Sequence, residues 1–427
     1  MKQNIVNLTF PPLKGTGGLK GTIQLTGSKS ESNRALIMQA LSGGKVIVDN
    51  LSKAADTVTL KKILDLEENK HSVLNSHSSD LKSILDVGPA GTAMRFLAAF
   101  LAMQPGEVVL TGSARMKQRP IGILVDALKS LGADIEYSEQ EGFPPLLIKG
   151  PLKQTGSDIT IKADISSQYI SALLLIAPNL PYGLNLHFEG ELTSRPYVEM
   201  TLSMLQQAGI RHEWNNNTIS INNQPFTKST ISVEPDWSAA SYWYAMAALS
   251  DESELFLPGL NKYSLQGDSK ITEIMANFGI TSQFKNGGVY LNKENKILER
   301  KIFDFKECPD LAQTVIVCCA ALGHNATFTG LETLKIKETD RVKALQNELG
   351  KMGVKLIEKN LTYKLDCSEL HFPERITIET YDDHRMAMAF APLALVIKNV
   401  EIEEPVVVEK SYPHFWDDLK KVGFEVN

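Results

Sequence analysis

Leu345-Gln346-Asn347-Glu348-Leu349-Gly350-Lys351-Met352-Gly353-Val354-Lys355-Leu356-Ile357 is the stretch that decides the fold. Leu345, Leu349 and Met352 fall on one face of a helix, which makes it a surface helix with a buried stripe. Gly353 follows the last helical residue, where a left-handed C-cap favours glycine. Val354 to Ile357 then alternates as a strand. The same phrase recurs as Leu124–Leu131 with Gly132, Leu202–Ala208 with Gly209, Ile271–Phe278 with Gly279, and Phe415–Val422 with Gly423. Gly132 leads into a second clear strand, Ala133-Asp134-Ile135-Glu136-Tyr137. The glycines stand 70 to 77 residues apart, a repeat of one supersecondary unit. A weaker sixth copy, Val58 to Leu66, lacks the glycine.

A second helix type recurs at a similar spacing. It is apolar on most sides and is predicted to be buried. Its copies are Ala35–Met38, Thr92–Leu97, Tyr169–Ala177, Ala239–Leu249, Leu311–Leu322 and Met386–Val396. Ser, Asp, Gly or Thr heads each one, as N-caps do. The chain therefore reads as six α/β units of about 70 residues, three to a domain. If the six polar helix heads converge, their free N–H groups make an anion site.

Composition narrows the function. A chain of 427 residues is expected to form two domains of about 200 residues each. Net charge is −6, against the basic surface that bulk nucleic-acid binding needs. The four cysteines, Cys308, Cys318, Cys319 and Cys367, have no metal-ligand spacing and read as thiols of a reducing compartment. Met1-Lys2-Gln3-Asn4 opens no secretory leader, and no apolar run of about 20 residues spans a membrane. A cytosolic protein without metal or cofactor is expected.

Cations gather at the helix heads. Gly27-Ser28-Lys29-Ser30-Glu31-Ser32-Asn33-Arg34, Ser166-Ser167-Gln168, Lys335-Ile336-Lys337-Glu338-Thr339-Asp340-Arg341 and Asp382-Asp383-His384-Arg385 each precede an apolar run. A charge run is ordinarily a solvated face, and buried helices need caps in any case. Caps alone do not explain Lys29, Arg34, Lys337, Arg341 and Arg385 at these heads. Together they describe a pocket for a small, highly anionic molecule.

These pieces resemble the 5-enolpyruvylshikimate-3-phosphate synthase family. Leu25 to Leu36 resembles its N-terminal signature. Ala90-Gly91-Thr92-Ala93-Met94-Arg95, Arg115 to Gly122, Ser166-Ser167-Gln168, Ser194-Arg195-Pro196-Tyr197, Gln266-Gly267-Asp268, Pro309-Asp310, Lys337 to Arg341, Asp383 to Met388 and Lys410 follow in the family's order. The resemblance covers nearly the whole chain. It implies a two-domain inside-out α/β barrel, each domain built of three βαβαββ-type repeats, with a cleft between the domains. It puts the domains at 27–235 and at 1–26 with 236–427, the first mainly on the shikimate 3-phosphate side. It also implies a monomer that transfers the enolpyruvyl group of phosphoenolpyruvate to the 5-hydroxyl of shikimate 3-phosphate, releasing phosphate.

The resemblance assigns residues too. Lys29, Ser30, Arg34, Ser166, Ser167, Gln168, Ser194, Asp310 and Lys337 are implied ligands of shikimate 3-phosphate. Lys29, Gly91, Arg119, Gln168, Arg341, Arg385 and Lys410 are implied around phosphoenolpyruvate, where the family's inhibitor glyphosate also binds. Such ligands need pairing and hydrogen bonds to replace lost hydration, which suits Arg and Lys. The chemistry needs a base for the 5-hydroxyl and an acid for the methylene carbon. Two differently tuned carboxylates can supply them. Asp310 is expected as base and Glu338 as acid, with Lys29 assisting.

Plainer readings stand beside these. Asp310 and Asp236 could be helix caps, His384 a structural histidine, and Arg95 a packing residue. The chain departs from the family at Pro89 (usually Asn), Phe96 (usually Pro) and Thr333 (usually an Asn touching the shikimate ring). The stretch from Leu51 to Leu85 matches poorly. The rivals are the UDP-N-acetylglucosamine enolpyruvyl transferase, a non-catalytic binding protein on the same fold, and an RNA-terminal cyclase relative. The first carries Lys-Asn where this chain has Lys29-Ser30, and usually a Cys in its first-built domain. Here no Cys precedes Cys308.

Overall fold

In the structure, a computed structural model describing residues 4–11, 18–73, 83–162, 166–190, 192–294 and 298–427, one local pattern recurs. Strand Ile302–Asp304 leads through the buried helix Ala312–Ala321 to a parallel partner, Thr327–Thr329. The amphipathic helix Arg341–Gly350 follows, and the hairpin Lys355–Lys359 and Thr362–Asp366 closes the sheet. Thr362–Asp366 lies beside Thr327–Thr329, so the sheet holds one parallel and two antiparallel pairs. A parallel pair needs a crossover, and the buried helix is that crossover.

Four more four-stranded sheets repeat this order. Two are Ser83–Asp86, Gly106–Thr111, Leu146–Gly150, Asp134–Tyr137, and Asp158–Lys162, Leu184–Glu189, Thr218–Ile221, Glu213–Asn215. The third is Gly18–Thr22, Glu252–Pro258, Gly288–Lys293, Ile280–Lys285. The fourth is Arg375–Ile378, Asn399–Glu403, Ile5–Thr9, Glu425–Val426, in which the N-terminal strand takes the third place. A sixth sheet shows one parallel pair, Ser229–Ser232 with Val46–Asp49. The chain forms two units, Met1–Thr26 with Glu234–Asn427, and Gly27–Val233. Each holds three of these sheets.

The repeat glycines sit in the left-handed region, with φ of 102° at Gly132, 85° at Gly209, 79° at Gly279, 75° at Gly353 and 103° at Gly423. At Gly353 space agrees with conformation, since a Cβ there would meet the Glu369 carbonyl oxygen at 2.2 Å. Leu345, Leu349 and Met352 are fully enclosed. Each such apolar side chain stabilises by about 1.5–3 kcal/mol. The sixth, glycine-less copy falls in helix Ala55–Val73.

The six buried helices are Lys29–Leu41, Gly91–Ala102, Ser167–Ile176, Trp237–Leu249, Ala312–Ala321 and His384–Phe390. Three details correct the reading. The helix expected over 386–396 ends at Phe390 and continues as a 3₁₀ turn, Ala391–Leu395. Pro392 lacks the N–H that would continue the α-helix. Helix Ile271–Met275 likewise passes into a 3₁₀ turn, Ala276–Phe278. Two heads, at Gly91 and Ala312, have no side-chain cap. Residues 1–3 of the N-terminal stretch lie outside the described residues, as do 74–82 of the poorly matched stretch. No described helix is long and apolar enough to cross a membrane.

Candidate active site

In the unit of residues 27–233, three helix heads carry the expected residues. Ser28 caps helix Lys29–Leu41 by accepting from the Glu31 N–H at 3.4 Å. Lys29 and Ser30 follow in its first turn. Lys29 Nζ meets Asp56 Oδ2 at 3.1 Å, a pair largely removed from water. Ser166 caps helix Ser167–Ile176 by accepting from the Gln168 N–H at 3.3 Å. The Gln168 amide reaches Thr92 Oγ1 at 3.2 Å, which joins this head to that of helix Gly91–Ala102. Ser194 stands before helix Arg195–Gln207 in the left-handed region, φ 53°.

Arg119 lies against Gly91: a Cβ there would meet its Nη1 at 2.6 Å and its Cζ and Nη2 at 2.9 Å. Arg95 donates to the Gly91 carbonyl at 3.2 Å and the Pro120 carbonyl at 2.8 Å, tying the Gly91 turn to the segment that carries Arg119. That supports the packing reading of Arg95.

Arg34 is enclosed. Its Nε donates to Thr201 Oγ1 at 2.7 Å, Nη1 to the Ser30 carbonyl at 2.9 Å, and Nη2 to Ser171 Oγ at 3.0 Å and the Tyr197 carbonyl at 3.2 Å. Phe96, one of the departures, places its ring 5.4 Å from the Arg34 Cζ, within cation–π range. Burial lowers Arg34 to about 10, partly offset by Tyr197 and Glu31. In this structure Arg34 ties together helices Lys29–Leu41, Ser167–Ile176 and Arg195–Gln207.

The other unit gathers the carboxylates. Arg341 opens helix Arg341–Gly350, whose cap is Asp340. Its Nε donates to Asp383 Oδ2 at 2.7 Å, Nη1 to Asp310 Oδ1 at 3.0 Å and Nη2 to Glu338 Oε2 at 2.9 Å. Arg385 Nη2 donates to Asp310 Oδ2 at 2.9 Å and to Ser238 Oγ at 3.4 Å, and Nη1 to Tyr242 Oη at 3.4 Å. Lys337 Nζ lies 3.8 Å from Asp310, and Lys410 Nζ lies 2.9 Å from Glu338. The heads of helices Trp237–Leu249, Ala312–Ala321 and His384–Phe390 thus meet around Arg385.

Charge sets the tuning. Burial pushes Asp310 up, but Arg385, Lys337 and Arg341 outweigh it and hold the carboxyl below the usual carboxylate range. Burial lowers Arg341, yet Asp383, Glu338 and Asp310 together raise it, so it stays charged. Asp310 makes no helix cap: the cap position of helix Ala312–Ala321 is Leu311. Asp236 does cap, accepting from the Ala239 N–H at 3.0 Å. Buried His384 lies 3.5 Å from Asp383, which caps its own helix through the Arg385 N–H at 2.8 Å.

Several partners had no local signal. Asp56 faces Lys29 from 27 positions away. Tyr242 and Ser238 face Arg385 from a helix read only as apolar. Thr333 Oγ1 is buried without a hydrogen-bond partner. Among the described residues no group of His, Cys, Asp and Glu could hold a metal ion.

The family model for EPSP synthase (3-phosphoshikimate 1-carboxyvinyltransferase) matches residues 13–419. This chain belongs to the EPSP synthase family. It is 47% identical over 416 residues to the 3-phosphoshikimate 1-carboxyvinyltransferase of Bacteroides fragilis, covering 97% of this chain and 98% of that protein. It is 35% identical to that of Xenorhabdus nematophila, covering 98% and 99%. The fold is that of the EPSP synthase of Acinetobacter baumannii, with TM-score 0.73 at 20% identity over 99% and 100% of the two chains. It is also that of the enolpyruvyl transferase NikO from Streptomyces tendae, with TM-score 0.72 at 14% identity over 100% and 99%.

Proposed function

We propose that this EPSP synthase family member transfers the enolpyruvyl group of phosphoenolpyruvate to the 5-hydroxyl of shikimate 3-phosphate, releasing phosphate. One observation carries the mechanism: a single guanidinium, Arg341, holds both Asp310 and Glu338. The two carboxylates are neighbours with different second partners, Arg385 for Asp310 and Lys410 for Glu338. Different surroundings let one group accept a proton while the other gives one.

In the addition, Asp310 takes the proton of the 5-hydroxyl, and the oxygen bonds to the central carbon of phosphoenolpyruvate. The double bond is consumed as Glu338 protonates the methylene carbon to a methyl group. In the elimination, that methyl group returns a proton to the carboxylate of Glu338. The double bond re-forms, and the carbon–oxygen bond to phosphate breaks. The leaving phosphate takes the proton that Asp310 held.

The cations around Asp310 hold it too acidic to be a strong base. Substrate anions that engage Arg385 and Lys337 would weaken that hold and raise its basicity. Lys29, Ser30, Ser166, Ser167, Gln168, Ser194 and Lys337 are the proposed shikimate 3-phosphate ligands, with Lys29 assisting proton transfer. Lys29, Gly91, Arg119, Gln168, Arg341, Arg385 and Lys410 are proposed for phosphoenolpyruvate. Arg34 is proposed with that first set, and it also donates to the Ser30 carbonyl.

The test is phosphate release. Both substrates together should give it, and omission of either should abolish it. Release with UDP-N-acetylglucosamine in place of shikimate 3-phosphate would instead support the rival transferase.

A further inference from the structure

Gln266-Gly267-Asp268 has no role in the reaction described above, yet it grips the head of helix Trp237–Leu249. Gln266 Oε1 accepts from the Trp237 N–H at 2.9 Å, and its Nε2 donates to the Pro235 carbonyl at 2.9 Å. One residue on, the Ser238 hydroxyl donates to Asp268 Oδ2. Asp268 is 2% exposed. The same hydroxyl oxygen accepts from Arg385 Nη2, which also donates to Asp310 Oδ2. Asp268, Ser238, Arg385 and Asp310 therefore form one connected line.

A hydroxyl has one proton. Committing it to Asp268 leaves only lone pairs for Arg385. Without that commitment the hydroxyl rotates freely, and the lone pair that receives Arg385 is no longer held in one direction. A bidentate contact with a substrate anion depends on how the Arg385 guanidinium is aligned.

We propose that Asp268 is a positioning residue for Arg385, acting through the Ser238 hydroxyl to hold the guanidinium in the orientation that receives the anion. This rests on the reading of Arg385 as an anion ligand. A second consequence follows from charge. Arg385, Asp310, Asp236 and Cys308 are among the titratable or charged groups around Asp268. Burial first, then the Asp310 charge, raise Asp268 to about 6. As pH falls through that value, Asp268 gains a proton and the anion site becomes more positive.

The experiment compares Asp268→Ala, Asp268→Asn and Ser238→Ala with the parent. The readouts are KM for each substrate, kcat, and sulfate binding by calorimetry from pH 5 to 8, where sulfate does not titrate. Asp268→Ala and Ser238→Ala should raise KM for phosphoenolpyruvate and the sulfate Kd about tenfold, the scale of one charge-assisted bond. KM for shikimate 3-phosphate should stay within about twofold. Asp268→Asn keeps an acceptor for Ser238, so its affinities at pH 8 should stay within about threefold of the parent. It should also lose the parent's tightening of sulfate binding below about pH 6. Unchanged phosphoenolpyruvate KM and sulfate Kd in both alanine variants would overturn the proposal. So would equal losses for both substrates, which mark a merely structural role. If Asp268→Ala does not fold, Ser238→Ala decides. If the parent shows no turnover, the functional reading fails, while sulfate binding still tests the link to Arg385.

Discussion

Gly91 faces the guanidinium of Arg119 so closely that a single methyl group would press on it at 2.6 Å. The obstruction is the far end of a flexible side chain rather than backbone, so the fold should tolerate Gly91→Ala while Arg119 moves aside. KM for phosphoenolpyruvate should rise about tenfold, on the scale of one displaced charge-assisted contact. The glyphosate inhibition constant should rise by a larger factor, because the inhibitor is the longer ligand. Steady-state kinetics with and without glyphosate check this, and equal factors would remove the steric argument.

Asp310→Asn separates binding from turnover. Arg341, Arg385 and Lys337 lose a negative partner, so anion binding should hold or tighten. The base is lost, so kcat should fall by about 10²–10⁴. A rise in KM for phosphoenolpyruvate with kcat preserved would show that Asp310 only shapes the pocket.

Asp268 makes stability depend on pH in the opposite sense from a salt-bridged carboxylate. Its folded value, about 6, lies above the ~3.9 of an exposed Asp. The folded state binds that proton more tightly than the unfolded chain. Its contribution is present below about pH 4 and is lost as pH rises through about 6. Asp268→Asn should therefore gain on the parent, by on the order of 1–3 kcal/mol at pH 8 and by less at pH 5. Urea melts at the two pH values measure the gap, and a gap that narrows toward pH 8 contradicts the assignment.

Glu348 tests how the Asp383-His384-Arg385 head is held. Tyr381 and Asp382 are consecutive left-handed residues, with φ of 54° and 55°. Such conformations persist only when surroundings impose them. Buried Glu348 accepts from Tyr381 Oη at 2.9 Å and from the Glu379 N–H at 3.2 Å, and pairs with Lys351 at 2.6 Å. Glu348→Ala should cost about 2–4 kcal/mol, measured by denaturant unfolding. A loss under about 0.5 kcal/mol, the usual range of a surface substitution, would mean that the turn holds itself.

The repeat was legible because its signals are local. Gly132, Gly209, Gly279, Gly353 and Gly423 mark left-handed turns that other residues strain to adopt, and the helices before them show their buried stripes within two turns. Pro392 was an equally local signal for the end of helix His384–Phe390, and an apolar run hid it. The cations at the helix heads were legible as a set, but their partners were not. Asp56 beside Lys29, Thr201 and Ser171 around Arg34, and Ser238 between Asp268 and Arg385 are joined by tertiary packing, and no spacing in the chain announces such pairs. Nor did the run Lys337 to Arg341 reveal that Arg341, at one end of a charged stretch, is enclosed by three carboxylates.

The most direct measurement runs the reaction in deuterium oxide with both substrates and follows the product by mass spectrometry and proton NMR. Addition makes a methyl group from the methylene carbon, and elimination removes any one of its three hydrogens. The predicted product is shikimate 3-phosphate carrying one enolpyruvyl group on its 5-hydroxyl, with solvent deuterium in the methylene, and phosphate released in equal amount. A product whose methylene carries no deuterium, or phosphate release without transfer to shikimate 3-phosphate, would contradict the account.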